Sequence, residues 1–212
     1  MNEKNLHYIL KFFFFAGLLF PDTLKAECNF NTSLFINQLE FSNNIKEINI
    51  ETSNPRKYNI NFLKTLISPS KYIPKKFKKK FKSKIKVSYP FGTCTYKAKI
   101  WQNGDIKDHL EFSNGDPIRS LNIKLEEGNI QNATKFKLLI PKTRNGLNEI
   151  IGSLIFKEFG YISPETFEVL VSVNDIQTKM IFQEDSQKEL LERNNRREGP
   201  IFEGDETHIW SN

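Results

Sequence analysis

The chain has 212 residues, of which 38% are hydrophobic and 26% are charged, with a formal net charge of +6. This charge is local, because residues 75–86 hold eight lysines and removing those eight charges from +6 leaves −2. The composition therefore excludes a generally basic protein and indicates one folded domain that carries a single basic segment.

Residues 1–26 contain the charged, apolar and cleavage regions of a secretory signal peptide in their usual order. Lys4 and Lys11 give a positive start, the run 12–20 is apolar, and Ala26 is a small residue at the cleavage position. The apolar run is too short for a spanning helix, which needs roughly 20 residues. We predict export to the cell envelope or the medium, where nucleic acid is a poor partner. An uncleaved N-terminal anchor is the alternative.

Two cysteines remain after such a cleavage, Cys28 and Cys94. An isolated pair in an oxidising compartment often forms a disulfide, and their spacing fits no metal-site pattern. We predict a bridge between them, with two buried thiols as the alternative.

Residues 27–83 are weakly patterned and predict a loosely ordered arm that ends in the basic segment. Within this segment Phe77, Phe81 and Ile85 recur every four residues, so it could form a basic amphipathic helix. Such a helix would contact an anionic membrane or an acidic glycan. The alternative is a solvated, disordered lysine run.

Residues 84–186 are strongly patterned. Alternating apolar residues predict strands at 94–101, 106–112, 121–125, 136–140, 167–173 and 176–182, and Leu147, Ile151, Leu154 and Ile155 predict one helix face. This order predicts an α+β domain in which about five antiparallel strands pack against one helix. Residues 187–212 are predicted as a short helix and a polar tail.

Polar side chains in two predicted turns are candidates for chemistry. Asp105, Asp108 and His109 could bind a metal or act as acid and base, although ordinary turn chemistry also favours such residues. Arg144 lies just before the predicted helix, where an anion is attracted by free backbone N–H groups.

Several segments taken together resemble the spore-coat protein H (CotH) kinase-like family. The resemblance runs from about Cys94 to Glu206 and is carried by residues 105–109, 119–125, 135–141, 156–164, 169–175, 180–184 and 197–206. It implies the fold of the N-terminal lobe of a protein kinase, with residues 187–212 as the segment between two lobes.

The resemblance also implies a nucleotide site for ATP with magnesium. A strand lysine, Lys135 or Lys137, would pair with Glu149 of the helix and hold the phosphates, and Glu184 would lie near the adenine. The alternative is that both lysines are on the solvent face of a strand and that Glu149 only favours the helix dipole.

A kinase needs catalytic and metal-binding aspartates from a larger lobe, and these 212 residues do not supply that lobe. We therefore predict that the isolated chain is not an active kinase, and that a missing C-terminal lobe or a partner chain would be required. The competing hypothesis is a non-catalytic envelope protein that binds acidic glycans or anionic lipid through its basic segment.

Overall fold

The computed structural model of the protein describes residues 26–30, 45–113 and 115–202. The apolar run of the predicted signal peptide and the tail from residue 203 lie outside this part. The strands are β1 (Glu27–Phe30), β2 (Glu47–Thr52), β3 (Phe81–Tyr89), β4 (Gly92–Gln102), β5 (Leu110–Ser113), β6 (Asp116–Arg119), β7 (Leu121–Leu125), β8 (Lys135–Leu139), β9 (Thr166–Val173) and β10 (Ile176–Glu184). The helices are α1 (Pro55–Ile67), α2 (Asn148–Glu158) and α3 (Lys188–Arg193), with short 3-10 helices at Lys75–Phe77, Lys107–His109 and Pro141–Arg144.

Seven strands form a closed mixed barrel in the order β4-β3-β2-β9-β10-β8-β7, and β7 pairs back onto β4. The pairing of β2 with β9 is parallel, whereas the other pairings in the ring are antiparallel. The prediction of a five-stranded kinase small lobe is therefore wrong.

The length of β4 explains how the ring closes. Its first residues pair with β1, with Cys28 opposite Cys94, while Ala98 to Gln102 pair with β7. One strand of 11 residues thus contacts two partners in succession along the same side. The predicted disulfide between Cys28 and Cys94 is confirmed and attaches β1 to the barrel wall.

The weakly patterned stretch 27–83 supplies the barrel strand β2 and the first three residues of β3. On β3 Ser83, Ile85 and Val87 are buried, whereas Lys82 and Lys84 are exposed, so the side chains alternate with a period of two. The amphipathic helix considered for the basic segment is therefore wrong. Spacing by four is compatible with either structure, because four is also a multiple of the strand period.

The barrel interior is filled with side chains. Phe182 lies between two other rings, with its centroid 4.5 Å from that of Phe136 and 4.6 Å from that of Phe167. Ile48 and Ile85 are fully buried in the same cluster. Burial of each such side chain stabilises the fold by roughly 1.5–3 kcal/mol.

Helix α1 packs on the barrel through Tyr58, which belongs to the core cluster. The helix begins where the Asn54 side chain accepts a hydrogen bond from the Lys57 N–H at 2.8 Å. It ends where the Lys107 ammonium donates to the carbonyls of Leu66 and Ser68. Both ends therefore have some of their backbone groups satisfied, and Lys107 attaches the C-terminal end of the helix to the 3-10 helix Lys107–His109.

Helix α2 lies where its apolar period predicted, but it is not buried. Ile151 is 50% exposed and Leu154 is 54% exposed, because the helix contacts the outside of β9 and β10 mainly through polar groups. The expectation of one helix packed by its apolar face is therefore wrong. None of the helices in the described part has the length and apolarity that crossing a bilayer requires.

Candidate anion-binding face

Four lysines lie side by side on the outside of the barrel. Lys82, Lys99, Lys124 and Lys135 are directly opposite one another across β3, β4, β7 and β8. Adjacent strands are about 4.8 Å apart, so this lysine row spans about 15 Å across the sheet. Its side chains point outward because their neighbours along each strand fill the core.

The row belongs to a larger lysine face, which we define as the row together with Lys84, Lys86 and Lys97. Lys84 is opposite Lys97, one step further along the same two strands. At the other side of the row, the Lys80 ammonium lies 5.0 Å from the Trp101 ring centroid. The face therefore combines a dense positive charge with one aromatic side chain.

Most of this charge has no counter-ion. In residues 26–30, 45–113 and 115–202, Lys82, Lys84, Lys86, Lys97 and Lys124 form no ion pair, even though Glu51 on β2 is opposite Lys84. Lys99 lies 3.3 Å from the Glu126 carboxylate on the surface, which contributes little. Like charges directly opposite in a sheet are destabilising, so the row lowers the stability of the fold.

The two lysines predicted to bind nucleotide contact a residue that the sequence argument missed. The Asp185 carboxylate lies 2.5 Å from the Lys135 ammonium and 3.4 Å from that of Lys137. The Asp185 backbone N–H also donates to the Lys135 carbonyl at 3.0 Å. Asp185 follows β10 directly, so the β8–β10 pairing brings it to these lysines.

Glu149 lies elsewhere and has other partners. Its carboxylate accepts a hydrogen bond from the Gln183 amide at 2.5 Å and lies 3.9 Å from the Arg144 side chain. The described residues show no ion pair between Glu149 and either strand lysine. Arg144, the predicted anion ligand, is thus already close to a carboxylate of the protein itself.

Glu184 is buried and bound to the chain itself. Its carboxylate accepts a hydrogen bond from the Glu165 backbone N–H at 3.1 Å and is paired with Arg193 of α3. The same guanidinium lies 2.5 Å from the Glu165 carboxylate. Burial raises the pKa of Glu184, and Arg193 partly offsets that effect. This cluster attaches α3 to the barrel.

The polar residues around position 105 are brought together without forming a metal site. Asp105 is paired with Lys78, and the His109 ring lies 4.0 Å from the Asp108 carboxylate. Burial lowers the pKa of His109, which favours the neutral ring. The part of the chain that the structure describes contains no group of three side chains able to hold a metal ion.

Comparison with known proteins gives no relative from which a function could be transferred. No protein-family model matches the chain, and no curated protein matches it. The resemblance to the spore-coat family stays a prediction from the residues, and the fold that it implied is not the fold of this chain.

Proposed function

We propose that this protein is a non-catalytic component of the cell envelope that binds anionic groups through the lysine face. The observation that carries the proposal is the row of four lysines directly opposite one another across neighbouring strands. Of the seven lysines of the face, only Lys99 and Lys135 are paired with a carboxylate in the described residues, and an arrangement of like charges that costs stability supports a role outside the fold. Envelope location is the expectation from residues 1–26.

A binding role fits these residues better than a catalytic one. Glu184 and Arg193 bind each other, and Asp105 is paired with Lys78. The lysines of the face instead point to solvent from a rigid sheet, which suits contact with many phosphate or carboxylate groups. Near an anionic bilayer each such lysine contributes about 1 kcal/mol.

Neutralising the row tests this proposal. The triple variant K82Q/K99Q/K124Q replaces each lysine with a slightly shorter, neutral polar side chain and removes three charges from the row. We expect its affinity for vesicles containing phosphatidylglycerol, and for an acidic polysaccharide such as polygalacturonate, to fall roughly a hundredfold. Co-sedimentation at several salt concentrations measures this, and the wild-type affinity should decrease with added salt.

A matched control removes the same charge at positions outside the lysine face. The lysines to replace with glutamine are exposed and paired with surface carboxylates: Lys142, Lys157 and Lys179. This variant should bind almost as the wild type does. Equal losses in the two triple variants would show that net charge alone matters and would contradict the assignment to the lysine face.

A further inference from the structure

A second basic feature, distinct from the row, lies between α1 and the residues that lead into β3. We call it the basic groove. One side of the groove is formed by α1, through Lys57, Ile60, Asn61 and Lys64. The other side is formed by the 3-10 helix Lys75–Phe77 and the residues up to the start of β3, through Lys76, Phe77, Lys79 and Phe81. The groove thus includes four of the twelve residues of the basic segment that the sequence singled out.

The rim of the groove is cationic and lacks counter-ions. Its four lysines are all exposed, and no carboxylate lines the groove. In the described ranges none of these four ammonium groups forms an ion pair, although that of Lys76 lies 5.2 Å from the Phe77 ring. A ligand that fills the groove must therefore supply negative charge.

The floor of the groove is apolar and leaves little hydrogen bonding for a ligand. Ile60 is 40% exposed there, and Phe81 packs edge-on against Tyr58 at 5.4 Å. The Asn61 side-chain oxygen accepts a hydrogen bond from Arg119 at 3.2 Å. Arg119 is itself buried without a carboxylate partner in the described part, so it adds positive potential beneath the floor.

We propose that the basic groove binds an anionic phospholipid of a bilayer, with the phosphate at the lysine rim and the start of an acyl chain on the apolar floor. This inference rests on the proposed function and names the partner. Charge complementarity requires an anion, and the exposed Ile60 together with the half-buried Phe77 and Phe81 favours hydrocarbon over sugar hydroxyls, which would lose their hydrogen bonds there.

The groove and the lysine face are continuous along the chain, because Phe81 lines the groove and the next residue, Lys82, begins the row. In this proposal the two features have different roles in membrane binding. The lysine face attracts the anionic headgroups as a set, and the groove positions one lipid, which adds apolar burial that salt does not screen.

The variant Ile60→Asp tests the groove. It introduces a carboxylate on the floor at an exposed helical position, so the fold is retained. We expect binding to phosphatidylcholine vesicles containing phosphatidylglycerol to fall at least tenfold, while binding to polygalacturonate, which needs only the lysine face, stays within twofold of the wild type. The matched control is Leu63→Asp, at a position on the same helix that is 50% exposed and outside the groove; it should retain both activities.

Two results would overturn the lipid site and leave the proposed function standing. One is equal vesicle binding by I60D and L63D while K82Q/K99Q/K124Q has lost it. The other is equal loss of polygalacturonate and vesicle binding in I60D, which would indicate an acidic glycan in the groove. Unchanged binding of the triple variant to both partners would instead refute the proposed function.

Competition separates the headgroup from the acyl chain. Short-chain dihexanoyl phosphatidylglycerol, kept below its micelle concentration, should displace the protein from vesicles, whereas glycerol phosphate at the same concentration should not. Equal competition by the two compounds would show that the apolar floor takes no part and would refute the groove as a lipid site.

Discussion

The lysine face differs from the cluster of Glu184, Arg193 and Glu165 in how far its charges are balanced within the chain. In the cluster, one guanidinium is shared by two carboxylates, and the Glu184 carboxylate is almost completely buried. In the face, lysines are opposite one another and mostly lack acidic partners. In the cluster the fold supplies the counter-ion of a buried charge, whereas in the lysine face it leaves most of the exposed charge for a partner outside the chain.

The largest effect should come from breaking the cluster. Arg193→Met leaves the buried Glu184 carboxylate without a cation, and we expect a loss of about 3–5 kcal/mol in the free energy of unfolding. Urea denaturation followed by circular dichroism measures it. The control Arg196→Met, at an exposed position three residues further on, should change stability by less than about 0.5 kcal/mol. Equal stabilities would mean that the ion pair does not hold α3.

A smaller effect should appear in the pH dependence of stability. The pKa of Glu184 is raised in the folded state, so the folded protein binds a proton more tightly there than the unfolded chain does. As the pH rises from about 4.3, the ordinary pKa of a glutamate, through the raised pKa of Glu184, this residue therefore lowers the free energy of unfolding. Glu184→Gln should remove this decrease of the free energy of unfolding with pH, and Glu168→Gln on the solvent side should not. If Glu184→Gln left the pH dependence of the free energy of unfolding unchanged, the prediction would be contradicted.

The smallest effect should be a gain in stability within the row. Lys124→Gln relieves repulsion from Lys99 and Lys135 on the neighbouring strands, and we expect an increase of about 0.2–1 kcal/mol at low salt. The increase should vanish at high salt. Lys179→Gln, which removes a surface pair with Glu168 at 3.0 Å, should be neutral or slightly destabilising. A destabilised K124Q protein would show that the row does not strain the sheet.

Local patterns predicted β4, β7, β8, β9 and β10, and they predicted the disulfide, because a period of two and a pair of cysteines are visible within the sequence. The strand predicted at 106–112 is wrong over its first half, where a 3-10 helix occupies Lys107–His109, and β6 was missed. Closure of the barrel was missed, because it depends on the parallel pairing of Ile48 with Val171. No pattern near either residue specifies such a distant partner. Ile48 and Ile50 do alternate with more polar residues in the sequence, but their surroundings indicated a loose arm.

The candidate site was missed for the same reason. Lysines at alternate positions of β3 were visible, but their alignment with Lys99, Lys124 and Lys135 depends on the register of four strands. Asp185 also gains its role only when β10 lies beside β8. Sequence reasoning therefore located the basic segment and gave it the wrong secondary structure.

Closure of the ring also limits how this molecule can bind other chains. Each of the seven barrel strands has neighbours on both sides, so the ring offers no row of free backbone groups for an extended peptide to join. Outside the ring, the described part adds only β1 and the β5–β6 hairpin, whose strands are each four residues long. Among the described residues, recognition by strand addition is therefore confined to these short segments, and a large partner would contact side chains on the outer wall of the barrel.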